Sequence, residues 1–316
     1  MAARRHAVVL LVLCAVLWST GGLLIKSIAW PALAVAGVRS ALAVAVLLLA
    51  LREWRGRWSW WLVSGALAGA ASMLGFVLAT KLTTAANAIF LVYTAPLYVA
   101  LLSPWVLCEP IRGDDWLTLL LAVLGMGCFC VEQLTWDRWV GNLCALGSGL
   151  ATAWLVVCLR KHTTTSPLLM LVLANALVAV VGVPFMFAAW PDPVSWGLLL
   201  LAGVGQLGVP LVLYGKVIPH VRALEAVLIP VLEPVLNPLW VWLLVGEVPS
   251  GWALLGGTLV LGAVTARGLM MVWHTPRERE GARPVTGDSH ATQTRPGRCG
   301  RDVLTISSRV SRPSTS

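Results

Sequence analysis

The sequence predicts an all-α integral membrane protein: ten transmembrane helices arranged as two inverted five-helix repeats. Three observations carry that reading: the composition, ten apolar runs of spanning length, and a proline–glutamate pattern shared by the fourth and ninth runs. Of 316 residues, 58% are hydrophobic and only 12% charged, and the mean hydropathy is +0.83. Soluble domains hold about half apolar and roughly a quarter charged residues, so water is not the main solvent of this chain. A helix that crosses a bilayer needs about 20 mostly apolar residues.

Taken in order, the runs cover 7–25, 33–51, 59–79, 84–107, 116–133, 140–160, 168–189, 195–215, 224–245 and 251–272. They are uniformly apolar instead of alternating, which favours helices over a barrel, and a spanning helix satisfies its own backbone. The first run follows Arg4 and Arg5 like a secretory leader. No small-x-small cleavage site follows it and a second run comes directly after, so it reads as the first membrane helix. Seven cysteines, at 14, 108, 128, 130, 144, 158 and 299, include no C-x-x-C pair. They read as small apolar filler, with no disulfide framework and no metal site.

Loop charge predicts the orientation. With the N-terminus inside, twelve basic residues fall in cytoplasmic segments, among them Arg52, Arg55, Arg57, Arg112, Arg160 and Arg222; only Lys26, Lys81 and Arg138 fall outside. That bias predicts both termini in the cytoplasm. It also accounts for the net charge of +9 without a nucleic-acid partner. Residues 273–316 turn to Arg, Ser, Thr, Gly and Pro, the composition of a disordered basic tail.

The two halves repeat. "AANAIFLVYTAPLYVALLSPWVLCE" around the fourth run aligns with "ALEAVLIPVLEPVLNPLWVWLLVGE" around the ninth. Pro96 precedes Glu109 by thirteen residues, as Pro234 precedes Glu247. The repeats are expected at 1–133 and 140–272. Because five is odd, the second copy enters the membrane in the opposite sense. Inverted repeats of this kind are typical of secondary transporters, whose site lies near the midplane between the halves.

On these residues, with "LWSTGGLLIK" (17–26), "VRSALAVAVLLL" (38–49) and "LEPVLNPLWVWLLVGE" (232–247), the chain resembles the EamA-type permeases of the drug/metabolite transporter superfamily. It departs where "CEPIRGDDW" lacks the glycine more usual before the glutamate, and in its long tail. The resemblance covers 7–272. It implies a secondary transporter, most often an exporter, moving small organic solutes such as amino acids or related metabolites by alternating access, with or without proton coupling. No cofactor is implied. The expected partners are the solute, protons where coupled, and the bilayer, with the chain acting as monomer or homodimer.

A charge at the centre of a span costs roughly 2.5–3.5 kcal/mol, so each such residue needs a reason. Glu233 lies in the middle of the ninth run, one turn from Asn237 on the same helical face. Pro230, Pro234 and Pro238 form the adjacent stripe and leave the carbonyls of Ala226, Pro230 and Pro234 without their helical donors. Glu233 is expected either to bind a cationic amine or carry a coupling proton, or only to hold a neighbouring helix. Arg39 is expected to meet a substrate carboxylate or Glu233, or to snorkel. Gln206 and Tyr214, spaced around Pro210, are expected to share a cavity face, and Trp154 to stack on substrate. Weaker candidates are Ser148 and Thr152, Trp18 and Ser19, and Asn87 and Tyr93. Gly65 and Gly69 read as a close helix contact.

An intramembrane enzyme or a non-transporting scaffold is the rival class. An enzyme needs a nucleophile with its base or clustered metal ligands; H-E-x-x-H, G-x-S-x-G and the phosphate-binding G-x-x-x-x-G-K-[ST] are all missing. The chain therefore reads as a transporter and not an enzyme. With 19 arginines against four lysines, a GC-rich genome and a bacterial cytoplasmic membrane are expected.

Overall fold

The computed structural model describes residues 2–51, 58–83, 85–133, 138–162, 166–187, 190–236, 240 and 251–273. Every regular element among them is helical. The helices are α1 (Ala2–Trp18), α2 (Gly21–Ser27), α3 (Ala32–Ala50), α4 (Trp60–Leu82), α5 (Ala85–Val92) and α6 (Ala95–Val106). There follow α7 (Gly113–Gln133), α8 (Trp139–Lys161), α9 (Pro167–Met186), α10 (Pro193–Leu200), α11 (Val209–Val217), α12 (Ala223–Leu228) and α13 (Gly251–Trp273). A π-helical stretch, Leu201–Gly208, joins α10 to α11, and 3₁₀ turns at Ile218–His220 and Ile229–Val231 flank α12.

Starts are set by caps. Ser59 accepts from Leu62 N–H at the head of α4, Ser166 from Leu168 N–H at α9, and Asp192 from the N–H groups of Val194 and Ser195 at α10. Each satisfies donors that a helix start leaves open.

Seven helical segments among the described residues are long and apolar enough to cross a membrane. They are His6–Ser27, Ala32–Ala50, Trp60–Leu82, Ala88–Val106, Trp139–Lys161, Pro167–Met186 and Pro193–His220. The chain is a multi-pass membrane protein. Seven is fewer than the ten runs of the sequence. Runs 116–133 and 251–272 are the helices α7 and α13, packed on each other; the described apolar part of α13, Leu254–Ala263, is short. Run 224–245 is not one described helix. It is α12, a 3₁₀ turn and a helical stretch at 232–236, and 237–239 and 241–250 lie outside the described residues.

Packing pairs α3 with α9, α4 with α8 and α9, α3 with the π stretch, α1 with α11, α6 with α8 and α12, and α1 with the 3₁₀ turn at Ile229–Val231. Small residues permit the closest pairs. A Cβ on Gly37 of α3 would lie 2.8 Å from the Gly182 Cα of α9, and one on Gly69 of α4 would lie 2.8 Å from the Ala174 Cβ. Dispersion, not water exclusion, drives such contacts in lipid, so close approach matters more here than in a soluble core.

Cys108 departs from the expectation for the cysteines. It is disulfide-bonded, and it is the only described residue other than glycine with positive φ, 57°.

Candidate functional site

Four of the apolar runs are irregular where they reach one cavity. The first breaks at Ser19–Thr20 between α1 and α2, and the fourth at Tyr93–Thr94 between α5 and α6. The eighth widens into the π stretch just before Pro210, which has no N–H to offer Gln206 O. The ninth tightens into the Ile229–Val231 turn around Pro230. Interrupted helices are tolerated in a membrane only where freed backbone groups find partners. Hydroxyls supply several here. Ser19 donates to Val16 O at 2.6 Å, Thr20 to Leu17 O at 2.9 Å and Thr94 to Leu91 O at 2.7 Å.

All four irregular points border one cavity of about 180 Å³, where Trp18, Tyr93, Gln206 and Pro230 reach its wall. The wall is mostly apolar, with few polar groups. Glu233, 7% exposed, accepts the Tyr93 hydroxyl at 2.6 Å on Oε2. Arg39 on α3 is 3% exposed; its charge acts on Glu233, and its Nη1 has no hydrogen-bond partner among the described residues. A buried guanidinium nitrogen without a partner is costly. Gln206 donates from Nε2 to Trp18 O at 3.2 Å, while its Oε1 accepts nothing there. Tyr214 donates to Ala226 O at 3.3 Å and tilts against Trp18 with ring centroids 5.4 Å apart. Ala226 is the residue whose carbonyl loses its helical donor to Pro230, and the tyrosine replaces that donor.

On the facing wall stands a hydroxyl cluster. Ser72 Oγ lies 2.6 Å from Thr152 Oγ1, and Ser148 donates to Ser72 O at 2.7 Å. Thr152 donates back to Ser148 O at 2.8 Å. Sequence reasoning singled out Ser148 and Thr152 but missed Ser72. Its signal was available: Gly65, Gly69 and Ser72 fall at i, i+4 and i+7, one helical face. The glycines let α8 and α9 approach, and the serine then meets α8.

Of the residues singled out from the sequence, Glu233, Arg39, Gln206 and Tyr214 therefore surround one cavity. Trp154 does not line it. Thr152, Leu155 and Val156 do, and Trp154 falls on the other side of α8, where it packs on Trp61 with ring centroids 6.1 Å apart. Asn237 lies outside the described residues, as does the side chain of Asn87. His162, beyond the end of α8, sits away from the cavity with Nδ1 3.0 Å from Ser59 Oγ; burial holds its imidazole below the usual histidine range.

No curated protein matches the chain. A solved crystal structure shares its fold with a TM-score of 0.72 and 21% identity, over 85% of this chain and 99% of that one. Residues 5–130 match the model of the EamA-like transporter family. That stretch carries the broken first and fourth spans, Arg39 and Tyr93. Over that stretch the chain is similar to the EamA-like transporter family, part of the drug/metabolite transporter superfamily.

Proposed function

We propose that the chain is a secondary transporter that exports small organic solutes, such as amino acids or related metabolites, across a bacterial cytoplasmic membrane by alternating access. The observation that carries the reading is the cavity that four irregular apolar runs reach, with a carboxylate and a guanidinium on its wall. In this reading Glu233 meets a cationic group or the coupling proton, Arg39 meets an anionic group, and Gln206 and Tyr214 shape the wall. Asn237, one turn beyond Glu233 in sequence, would extend the same face. Opposite charges in an apolar cavity suit a zwitterion, because each desolvated group of the solute finds a partner.

Ten spans in two inverted repeats, 1–133 and 140–272, with both termini in the cytoplasm, complete the reading. Exchange of partners supports it. If the first five spans correspond in order to the last five, the pairing of α4 with α8 corresponds to that of α11 with α1. Likewise α4 with α9 corresponds to the π stretch with α3, while α3 with α9 and α7 with α13 map onto themselves. Ala95 and Glu233, equivalent in the two copies, line the same cavity.

Flux in proteoliposomes tests the proposal, over a panel of amino acids, amines and nucleosides, with and without a pH gradient. Saturable flux of at least one solute is expected. Glu233→Gln is expected to abolish its response to the gradient. Full, gradient-sensitive flux in that variant removes the proton role, and no flux of any solute favours a non-transporting protein.

A further inference from the structure

Where α6 and α8 end, charged side chains tie the first half of the chain to the second. Arg160 Nη2 donates to Glu109 Oε1 at 2.6 Å, and its Nη1 donates to the carbonyls of Ile218 and Pro219, each at 3.2 Å. Glu109 Oε2 accepts the Ala223 N–H at 3.0 Å, in the first turn of α12. Arg222 Nη1 donates to Asp115 Oδ2 at 2.8 Å and its Nη2 to Pro110 O at 2.5 Å. Lys161 Nζ adds a bond to Val106 O at 2.9 Å. These are not loose surface pairs. The Arg160 and Glu109 side chains are 22% and 18% exposed, and Arg222 and Asp115 23% and 0%. Each arginine also holds a backbone carbonyl, Arg222 that of Pro110 across the junction and Arg160 those of Ile218 and Pro219 within the second half, which fixes its geometry.

The opposite end is built differently. Lys26 donates to Thr83 O at 2.8 Å and Lys81 to Ile28 O at 2.6 Å, contacts that stay within the first half. Among the described residues, the charge of the second half that acts on Lys26 there is that of Arg138, at the head of α8, and it is repulsive. Attraction between halves at one end thus faces repulsion at the other. The attractive end is also close to the cavity. Thr152 and Pro230 border the cavity, eight residues before Arg160 and eight after Arg222, or about 12 Å along a helix. Moreover α12, held at Ala223 by Glu109, runs directly into the turn that carries Pro230 and then Glu233.

We propose that Glu109, Asp115, Arg160 and Arg222 form an ionic gate that closes the cavity at this end, the cytoplasmic one by the loop-charge reading. Its release is the step that exposes the cavity there. The inference rests on the alternating-access reading but concerns other residues. A solute in the cavity and the gate act on the same segment, α12 to Glu233, so occupancy at one end of that segment is felt at the other.

The test uses the full chain in vesicles of both orientations, with Ala95→Cys as a cavity reporter and a membrane-impermeant maleimide. Labelling of the parent chain, with its own cysteines, gives the background. With the gate intact, Ala95→Cys is expected to label at least about tenfold more slowly from the Glu109 side than from the Lys26 side, a difference of ~1.4 kcal/mol. Glu109→Gln or Arg222→Gln is expected to raise the Glu109-side rate by about tenfold. The reversal Asp115→Arg with Arg222→Asp is expected to return it towards the parent rate. Equal rates from the two sides with the gate intact would overturn the proposal, and that measurement needs no gate variant. So would single variants that leave the Glu109-side rate unchanged while labelling normally from the Lys26 side, or a double reversal as open as the singles. Because labelling needs no solute, a chain that labels as expected but carries no flux counts against transport and not against the gate.

Discussion

Tyr214 shows how the polar residues of this chain divide between structure and solute. Its hydroxyl serves Ala226 O, a carbonyl stripped of its donor by Pro230, so part of its role is repair. Arg39 and Gln206 differ: each is buried at the cavity with one polar atom unserved by the described residues. Unserved atoms mark where a ligand gains most, since both sides are relieved of a desolvation cost. His162 gives a titratable counterpart outside the membrane spans. It is 5% exposed, its Nδ1 meets Ser59 Oγ, and burial depresses its pKa. A depressed folded pKa means the unfolded chain takes up the proton first, so the stability this site contributes is complete above the ordinary histidine value of about 6.5. It is lost as pH falls below that value through the folded pKa. Thermal unfolding in detergent between pH 7.5 and 5 is expected to show the parent losing Tm relative to His162→Gln as pH drops. Parallel curves would refute the assignment.

At the scale of helices, the contact of α3 with α9 depends on the absence of two side chains. A Cβ on Gly37 meets Gly182 Cα at 2.8 Å, and one on Gly182 meets Leu33 O at 2.8 Å. Backbone cannot yield as a side-chain tip can, so Gly182→Ala is expected to cost ~1–3 kcal/mol as overpacking. Gly197→Ala in α10 meets nothing within 4 Å, and it is expected to keep or raise Tm, since alanine is favoured over glycine in a helix by about 1 kcal/mol. Tm values of the two variants, measured side by side, check the contrast. Helices as such were legible, because apolar runs of spanning length leave the backbone no other solution. The proline stripe around Glu233 was legible as a line of freed carbonyls, and the Ile229–Val231 turn lies on it. The breaks at Ser19–Thr20 and Tyr93–Thr94 were legible only in their breakers, Gly21-Gly22 directly after the first and Pro96 at the start of α6 after the second; the hydroxyl bonds and tertiary contacts that meet their cost are stated by no local pattern. Trp154 was misplaced for a related reason. Residue type suggested stacking on a solute, but the rotation of α8 against α4 sets which face meets the cavity, and that depends on Gly65, Gly69 and Ser72 on the partner helix.

For the molecule as a whole, near-symmetric packing coexists with asymmetric charge. Under the proposed repeat, the pairings of α4 with α8, α4 with α9, α3 with α9 and α7 with α13 exchange with like pairings or map onto themselves, so packing alone gives little reason to prefer closure at one end. Charge supplies the preference: Glu109 and Asp115 draw Arg160 and Arg222 across the junction at one end, while Lys26 faces Arg138 at the other. Burial fixes the relative size of the two effects. The gate pairs are largely buried, and breaking them leaves charges without partners, whereas Lys26 and Arg138 are both exposed, where an ion pair is worth only ~0.2–1 kcal/mol. Arg138→Glu turns that repulsion into attraction without touching the cavity or the gate. It is expected to shift the balance towards closure at the Lys26 end. Labelling of Ala95→Cys from that side should slow by about 1.4- to 5-fold, well short of the effect of opening the gate. Raising the salt concentration should shrink the difference, because exposed charges are screened over roughly 8–10 Å. An acceleration, or a change as large as that of Glu109→Gln, would mean that charge at this end does not act on the balance between the two closures.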